Sequence, residues 1–490
     1  MPYYKWDDEE KIFRIIDPVW GRHEIGTEPG DEVLLALLHT DLVRRTMAIE
    51  QLTLDSLTQT IPATAEFSRW EHIWGSVVMI REMTKDLDLD PRQKLILQLR
   101  SFLSDLGHTA YSHLGDWLFQ GAGGGEDQHD QELMHLLEVG GINDILQEYD
   151  IDPKEVVFPD ISDWIENKAP DLCVDRVDYG AREIKRWADL SMAVWFATRP
   201  EAFKVTPDGK LICSNEQNAF NFGKAFMLLP TEHWGEPVHR LQLLLKQELV
   251  KRVLTDDYSG FVMSDMGPPR DFHPRDYIYT VDCDITYEMW AREPFLNLVR
   301  PMMQDIGLAK RRVFAWERKR ELAHFFSEFN KAPTSYPDPL EHYGDTYVSV
   351  DLLPSNIEIV RADKPEDVDD YQQNPGSYDV WLDDLKPRFI DPLFEDSDGN
   401  IQRLSEVNET YKKLLAAQAE TMARTYVARL HLNPKARNGL KDGIQENDQR
   451  WEEALTRPRM DSDRFKRVLH EVAQLAVTKR LVRLEGRFYT

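Results

Sequence analysis

Cysteine is scarce. The 490 residues hold three, Cys173, Cys213 and Cys283, set far apart. Their spacing makes neither a CxxC zinc pair nor a disulfide framework, which predicts a reducing cytoplasmic setting. No run of about 18 uncharged apolar residues occurs, so no transmembrane helix and no membrane partner are predicted. The opening MPYYKWDDEEKIF lacks the basic start and apolar stretch of a secretory signal. A GxxxxGK[ST] phosphate loop and a GxGxxG fingerprint are also missing. GAGGGEDQ (121–128) has no following lysine and no preceding strand, and reads as a flexible loop. Basic residues are outnumbered, 59 against 86 acidic, for a net charge of −27. Such a surface repels nucleic acid and anionic membranes. A small anionic substrate stays possible, because a metal ion and a few local cations can invert the potential inside one pocket.

What is there is mostly helical patterning. The chain is 42% hydrophobic and 30% charged, and its length suits roughly three domain units. Apolar residues recur at three-to-four spacing over 31–54, 68–85, 91–105, 127–149, 173–197 and 236–254. Strand-like patches follow at 277–285, 346–353 and 357–362. A long basic helix is predicted over about 307–326, another helix over 404–430, and a basic one near 461–481. The acidic stretch rich in Pro, Asp and Gly near 363–400 reads as a long excursion. The expected architecture is mainly α. Residues 1–300 would form one domain with a helical core over about 30–255, and 301–490 a smaller α+β lobe carrying the acidic loop.

The chemistry concentrates in FLSDLGHTAYSHLGDW (102–117), which packs Asp105, His108, His113 and Asp116 among apolar neighbours. A carboxylate that ends an apolar run needs a partner, because an unpaired buried charge is costly. Upstream, His72 lies on a helix beside Gly75, Ser76 and Met79, while Trp70, Ile73, Trp74 and Val77 take another face. Small residues let a second helix approach, which buries His72. Taken alone, His72 would read as a hydrogen-bonded core histidine. His129 starts a further helix. In DLCVDRVDYGAREIKRW (171–187), Asp175, Tyr179 and Glu183 stand at i, i+4 and i+8 on one face. That face also suits a solvated surface with an Asp178–Arg182 pair. Three helices contributing His72, Asp105 and Asp175 would suit a divalent metal with open positions, and His108 and His129 would add imidazoles fit for proton transfer.

The ordered set resembles the HD phosphohydrolase superfamily, and within it the deoxynucleoside triphosphate triphosphohydrolase branch that includes the sterile-alpha-motif/HD protein. FRIIDPVWGRHEI (13–25) is similar to the branch's opening segment, and DLVRRTMAIEQLTL (41–54) to its "QRLR-IKQLG" helix. FSRWEH resembles "RFEH", SDLGHTAYSH resembles "HDLGHGPFSH", VDRVDYGARE resembles "VDKWDYFARD", and ICSNEQNAFNFGKAF (212–226) resembles a later helix. The likeness spans roughly residues 12–255, with a looser echo at 391–406.

This resemblance implies a metal-dependent nucleotide phosphohydrolase that splits a deoxynucleoside triphosphate into deoxynucleoside and triphosphate. The alternatives are another or modified nucleotide, as mono- or diphosphate, or a silent HD scaffold that binds a nucleotide or partner. His72, Asp105 and Asp175 would hold a divalent ion, with Mn, Mg, Fe, Zn and Ni not distinguished. His108 and His129 would be catalytic. Gln51, Leu52, Arg69, His113, Asp116, Arg176, Tyr179 and Glu183 would bind substrate. A homo-oligomer is expected, with no nucleic acid partner. Three positions depart from the pattern. Ser104 stands where the doublet histidine belongs, Thr109-Ala110 replaces Gly-Pro, and LLPTEHWGEPVHRLQ (228–242) lacks the branch's phosphate-binding arginine, leaving His233, His239 and Arg240 as candidates. An alcohol is a poor substitute for imidazole as a ligand to these metals.

Overall fold

A computed structural model describes residues 3–51, 67–120, 128–157, 165–185, 192–235, 237–255, 273–279, 357–362, 364–368, 377–382 and 388–486. The fold is mainly α with small sheets, as the patterning predicts. Two helices match their expected ranges closely. Pro91–Ser104 starts on Asp90, whose side chain accepts from the Gln93 amide at 2.9 Å while the Gln93 side chain accepts from the Asp90 amide at 3.1 Å. This reciprocal cap with proline at the first turn sets the start. The helix tightens into a 3₁₀ turn, Asp105–Gly107, which puts Asp105 at its end. Arg69–Thr84 is buried on nearly every side. A side chain at Gly75 would run into Arg182 and Asp178, so the missing Cβ is what lets helix Val174–Glu183 pack there.

Other expected helices are broken. The 31–54 pattern resolves into Asp31–Leu38, Asp41–Arg45 and a 3₁₀ turn Thr46–Ala48. The 127–149 pattern resolves into Gln128–Val139 and Ile142–Glu148, parted at Gly141, whose φ of 74° suits glycine. The 173–197 pattern holds Val174–Glu183 and Met192–Ala197. The 404–430 stretch is helical at Leu404–Val407 and Glu409–Met422, then switches to a strand, Tyr426–His431. Pro237–Thr255 and Ser462–Gly486 lie where helices are expected. Pro434–Ala454 is a helix that the periodicity did not reveal. The predicted helix at 307–326 and the strand at 346–353 lie outside the described residues, as does the boundary at 300.

Among the described residues three small sheets accompany the helices. Tyr3–Asp7, Ile12–Asp17 and Gly21–Ile25 form an antiparallel meander. Tyr426–His431 is the central strand between Ile357–Arg361 and Ser377–Leu382, antiparallel to both. In the third sheet Leu211–Cys213 pairs in parallel with Leu393–Glu395, through Cys213 and Phe394. That pairing corrects the reading of 363–400 as an excursion. Ile390 and Phe394 are buried in the same core as Trp70, Trp74 and Phe102. The acidic average of the stretch hides a short apolar run, FIDPLF, that enters the core. Among the described residues no helix is long and apolar enough to cross a membrane.

Candidate active site

Three elements bring His72, Asp105 and Asp175 together. Their ligand atoms all lie within 4.8 Å of one another. His72 Nε2 is 2.9 Å from Asp175 Oδ1 and 3.4 Å from Asp105 Oδ2. On the other side of the ring, Nδ1 is 2.6 Å from Asp178 Oδ2. Asp178 is itself held by Arg182 at 2.7 and 3.0 Å and by the Trp20 indole N–H, and Arg182 reaches Asp17 at 2.7 Å. A carboxylate on Nδ1 fixes the ring and leaves Nε2 to face the other ligands, the usual support of a metal-bound histidine. One imidazole nitrogen and carboxylate oxygens from two further elements fit a divalent ion that keeps positions open for water and substrate. Ser104 adds no ligand here, because its hydroxyl turns back along its helix and donates to the Ser101 carbonyl at 3.1 Å.

A second group abuts the first. His108, His113, Asp116 and His129 also bring ligand atoms within 4.8 Å of one another. Asp105 joins the two groups, with Oδ2 toward His72 and Oδ1 3.4 Å from His108 Nε2. Asp116 takes His113 Nδ1 at 3.0 Å and His129 Nδ1 at 3.1 Å. The His129 amide also donates to Asp116 at 3.1 Å. The His108 and His129 rings stack, 3.9 Å between centroids, and His108 Nδ1 is buried without a hydrogen-bond partner among the described residues. The turn that carries these residues is forced. Tyr111 and Ser112 adopt φ of 59° and 58°, uncommon for residues other than glycine. Arg45, fully buried, donates to the carbonyls of Leu106 and His108 at 2.9 and 2.6 Å. Gly107 leaves room for the His129 backbone.

Arg69 stands between the groups. It donates to Asp105 at 2.9 Å and to Ser112 Oγ at 2.7 Å, and lies 3.4 Å from His113 Nε2. Charge balance differs across it. Burial alone would lower the His72 pKa, but Asp105, Asp175 and Asp178 raise it to about 10. Burial would raise Asp105, yet Arg69 and His72 hold it well below the usual carboxylate range. Burial and the charges of Arg69 and His129 push His108 well down. His113 falls to about 4, through burial first and then Arg69 and Arg388, against the opposing bond to Asp116.

Of the remaining predicted residues, Tyr179 adjoins this centre. Tyr179 lies 6.3 Å from the His72 ring and 5.8 Å from Trp234, centroid to centroid. Glu183 is buried and accepts from the Trp234 indole at 3.0 Å. Arg176 donates to the Asn167 carbonyl at 3.0 Å and to that of Asp171. Gln51 is buried, and its side-chain oxygen has no partner among the described residues. Leu52 lies outside them, as do the side chains of His233 and His239. Arg240 is turned to the carbonyls of Gly235 and Arg424, at 2.9 and 3.1 Å. Asp178, Arg45, Ser112, Trp234 and Arg388 were not singled out from sequence. Asp178 had a signal, since it shares a helix turn with Asp175, but its pairing with Arg182 read as a surface feature.

No family model matches the chain. It is 29% identical over 180 residues to the uncharacterized protein YdhJ of Bacillus subtilis, covering 36% of this chain and 50% of that protein. It is 27% identical over 232 residues to the metal-dependent phosphohydrolase cns2 of Cordyceps militaris, covering 46% of this chain and 61% of that one. The chain thus spans between half and two thirds of the length of these relatives. Its fold resembles that of a phosphohydrolase from Bacteroides thetaiotaomicron, with a TM-score of 0.52 and 13% identity over 86% of this chain and all of that one. The similarity in sequence to a metal-dependent phosphohydrolase is in line with the superfamily that the motifs resemble, and the likeness to the solved structure is one of fold.

Proposed function

We propose that the chain is a metal-dependent nucleotide phosphohydrolase whose substrate is a deoxynucleoside triphosphate, split into deoxynucleoside and triphosphate. The observation that carries the reading is the pairing of a carboxylate-rich group, His72, Asp105 and Asp175, with an imidazole-rich group through the two oxygens of Asp105. A divalent ion held by the first group would supply positive charge and lower the pKa of water. Arg69 offers a guanidinium to a phosphate oxygen beside Asp105. His108, depressed and buried, is a neutral base near neutral pH, and His129 can hand a proton to the leaving 5′ oxygen while Asp116 orients it. Tyr179 supplies an aromatic face for the sugar, Glu183 a carboxylate for its 3′-hydroxyl, and Gln51 a buried amide for a further polar contact.

The deciding experiment measures metal content by elemental analysis and resolves products by chromatography. Deoxynucleoside triphosphates, ribonucleoside triphosphates, diphosphates and monophosphates would each be supplied with Mn or Mg. Release of deoxynucleoside together with intact triphosphate is expected. Phosphate released from a mono- or diphosphate instead would move the substrate class and keep the hydrolase. No bound metal and no turnover with any nucleotide would leave a nucleotide-binding scaffold.

A further inference from the structure

The turn over residues 109–112 is held in a conformation that its residues disfavour. Tyr111 and Ser112 both take left-handed φ, 59° and 58°, where only glycine is free of a steric cost. Strain of this kind persists where the surroundings impose it, and it concentrates at functional sites. Here the surroundings grip the turn at several points. The Thr109 carbonyl accepts from the Ser112 amide at 3.0 Å, and the Thr109 hydroxyl donates to the Ser112 carbonyl at 3.2 Å. Tyr111 is fully buried beneath the Lys246 ammonium, 3.5 Å from the ring centroid. What the turn presents is one hydroxyl. Ser112 is 1% exposed, and its Oγ accepts from Arg69 Nε at 2.7 Å. At the other end of the guanidinium, Nη1 donates to Asp105 at 2.9 Å and Nη2 lies 3.4 Å from His113 Nε2. Nε carries a single hydrogen and Ser112 takes it, so an anion can engage only the terminal fork of Nη1 and Nη2.

We propose that Ser112 is a positioning residue for substrate phosphate: its hydroxyl, delivered by the left-handed turn, fixes the Nε edge of Arg69 and aims the Nη1 and Nη2 fork at phosphate oxygens. An arginine left to rotate must give up that freedom when it binds an anion, whereas one already pinned gives up less. The role depends on a guanidinium, because a lysine is a point charge with no second edge to hold. It also accounts for the strain, since the cost of the turn is met in order to place this hydroxyl. The proposal rests on the phosphohydrolase reading for the class of substrate, and it gives Ser112 no contact with the reacting atoms.

The test is a double-mutant cycle read by calorimetry. Inorganic tripolyphosphate is titrated into the full-length protein, with and without Mn, for wild type, Ser112→Gly, Arg69→Lys and the double variant. Glycine suits the left-handed φ, so Ser112→Gly removes the hydroxyl and keeps the turn. It is expected to weaken binding about threefold to tenfold on the wild-type background, and less than about twofold on Arg69→Lys, where no Nε edge remains to be held. If Ser112→Gly does not fold, judged by circular dichroism, Ser112→Ala takes its place in the same cycle. Wild-type affinity in Ser112→Gly would overturn the proposal. An equal loss on both backgrounds would also overturn it, because Ser112 would then act through the backbone and not through Arg69. So would the absence of tripolyphosphate binding to wild type. Failure of the hydrolase reading looks different: tripolyphosphate binding that couples Ser112 to Arg69, with no nucleotide turned over, keeps the positioning role and removes the reaction.

Discussion

Around His72, three carboxylates converge on one imidazole; around Asp116, two imidazoles converge on one carboxylate, with a third ring stacked on one of them and two guanidiniums near. The first arrangement favours a cation and pulls His72 up to about 10. The second favours an anion and drives His113 down to about 4. Asp105 belongs to both, and Arg69 is the wedge. A site that must hold a metal and a phosphate a few ångströms apart needs such a change of sign over a short distance. Here ordinary side chains make it, without help from a glycine-rich phosphate loop.

Breaking the cation side should cost most. Asp175→Ala removes one proposed ligand from a partly exposed position, so the fold should survive. Metal content by elemental analysis should fall to a small fraction of wild type, and turnover by about a thousandfold or more. Full metal content in that variant would remove Asp175 from the ligand set. Breaking the anion side should spare the metal. His129→Gln should lower kcat about a hundredfold or more with metal content unchanged. If metal is lost as well, the two groups are one site and the contrast between them fails.

Sequence showed the parts of this contrast unevenly. His72, Asp105, Asp175, His108 and His129 were visible because each sits in a short motif of recognisable order. The i, i+4, i+8 spacing of Asp175, Tyr179 and Glu183 was visible because a helix fixes it. Asp178 was not, since a charged pair on a helix reads as solvent-facing unless the facing helix is known to carry Gly75 at the crossing. Arg388 lies 154 positions from Trp234 (388 − 234), whose ring it sits over, and no local pattern foretells a contact over such a distance. Helix Pro434–Ala454 was hidden for another reason. It buries only Leu440, Asn447, Trp451 and Ala454, too sparse an apolar stripe to show as a period.

Ser104 allows a smaller, opposite change. Its hydroxyl is spent on the Ser101 carbonyl, and the position directly precedes Asp105. Ser104→His would add an imidazole on the cation side. Metal affinity, measured by competition with a chelator, should rise about tenfold, with turnover rising at limiting metal. An unchanged affinity would mean that the three-ligand group has been rebuilt around the serine.

The smallest effect is on stability, and it tests the contrast with no metal present. As pH falls, His113 takes up a proton in the unfolded chain near its ordinary 6.5 but in the folded chain only near 4. Its contribution is therefore full above 6.5 and is lost as pH falls toward 4. His72 behaves in the opposite sense. Its folded value of about 10 lies above the unfolded one, so its contribution is full below 6.5 and is lost as pH rises through 10. Urea unfolding in chelator across pH 4 to 10 should thus show two declining limbs with separate causes. His113→Gln should flatten the acid limb alone. The change should not exceed about 3 kcal/mol and should be less in practice, since the ring keeps a quarter of its exposure. An acid limb unchanged in that variant would mean that the charge of the imidazole-rich group does not depend on His113, and the guanidiniums would then have to set it alone.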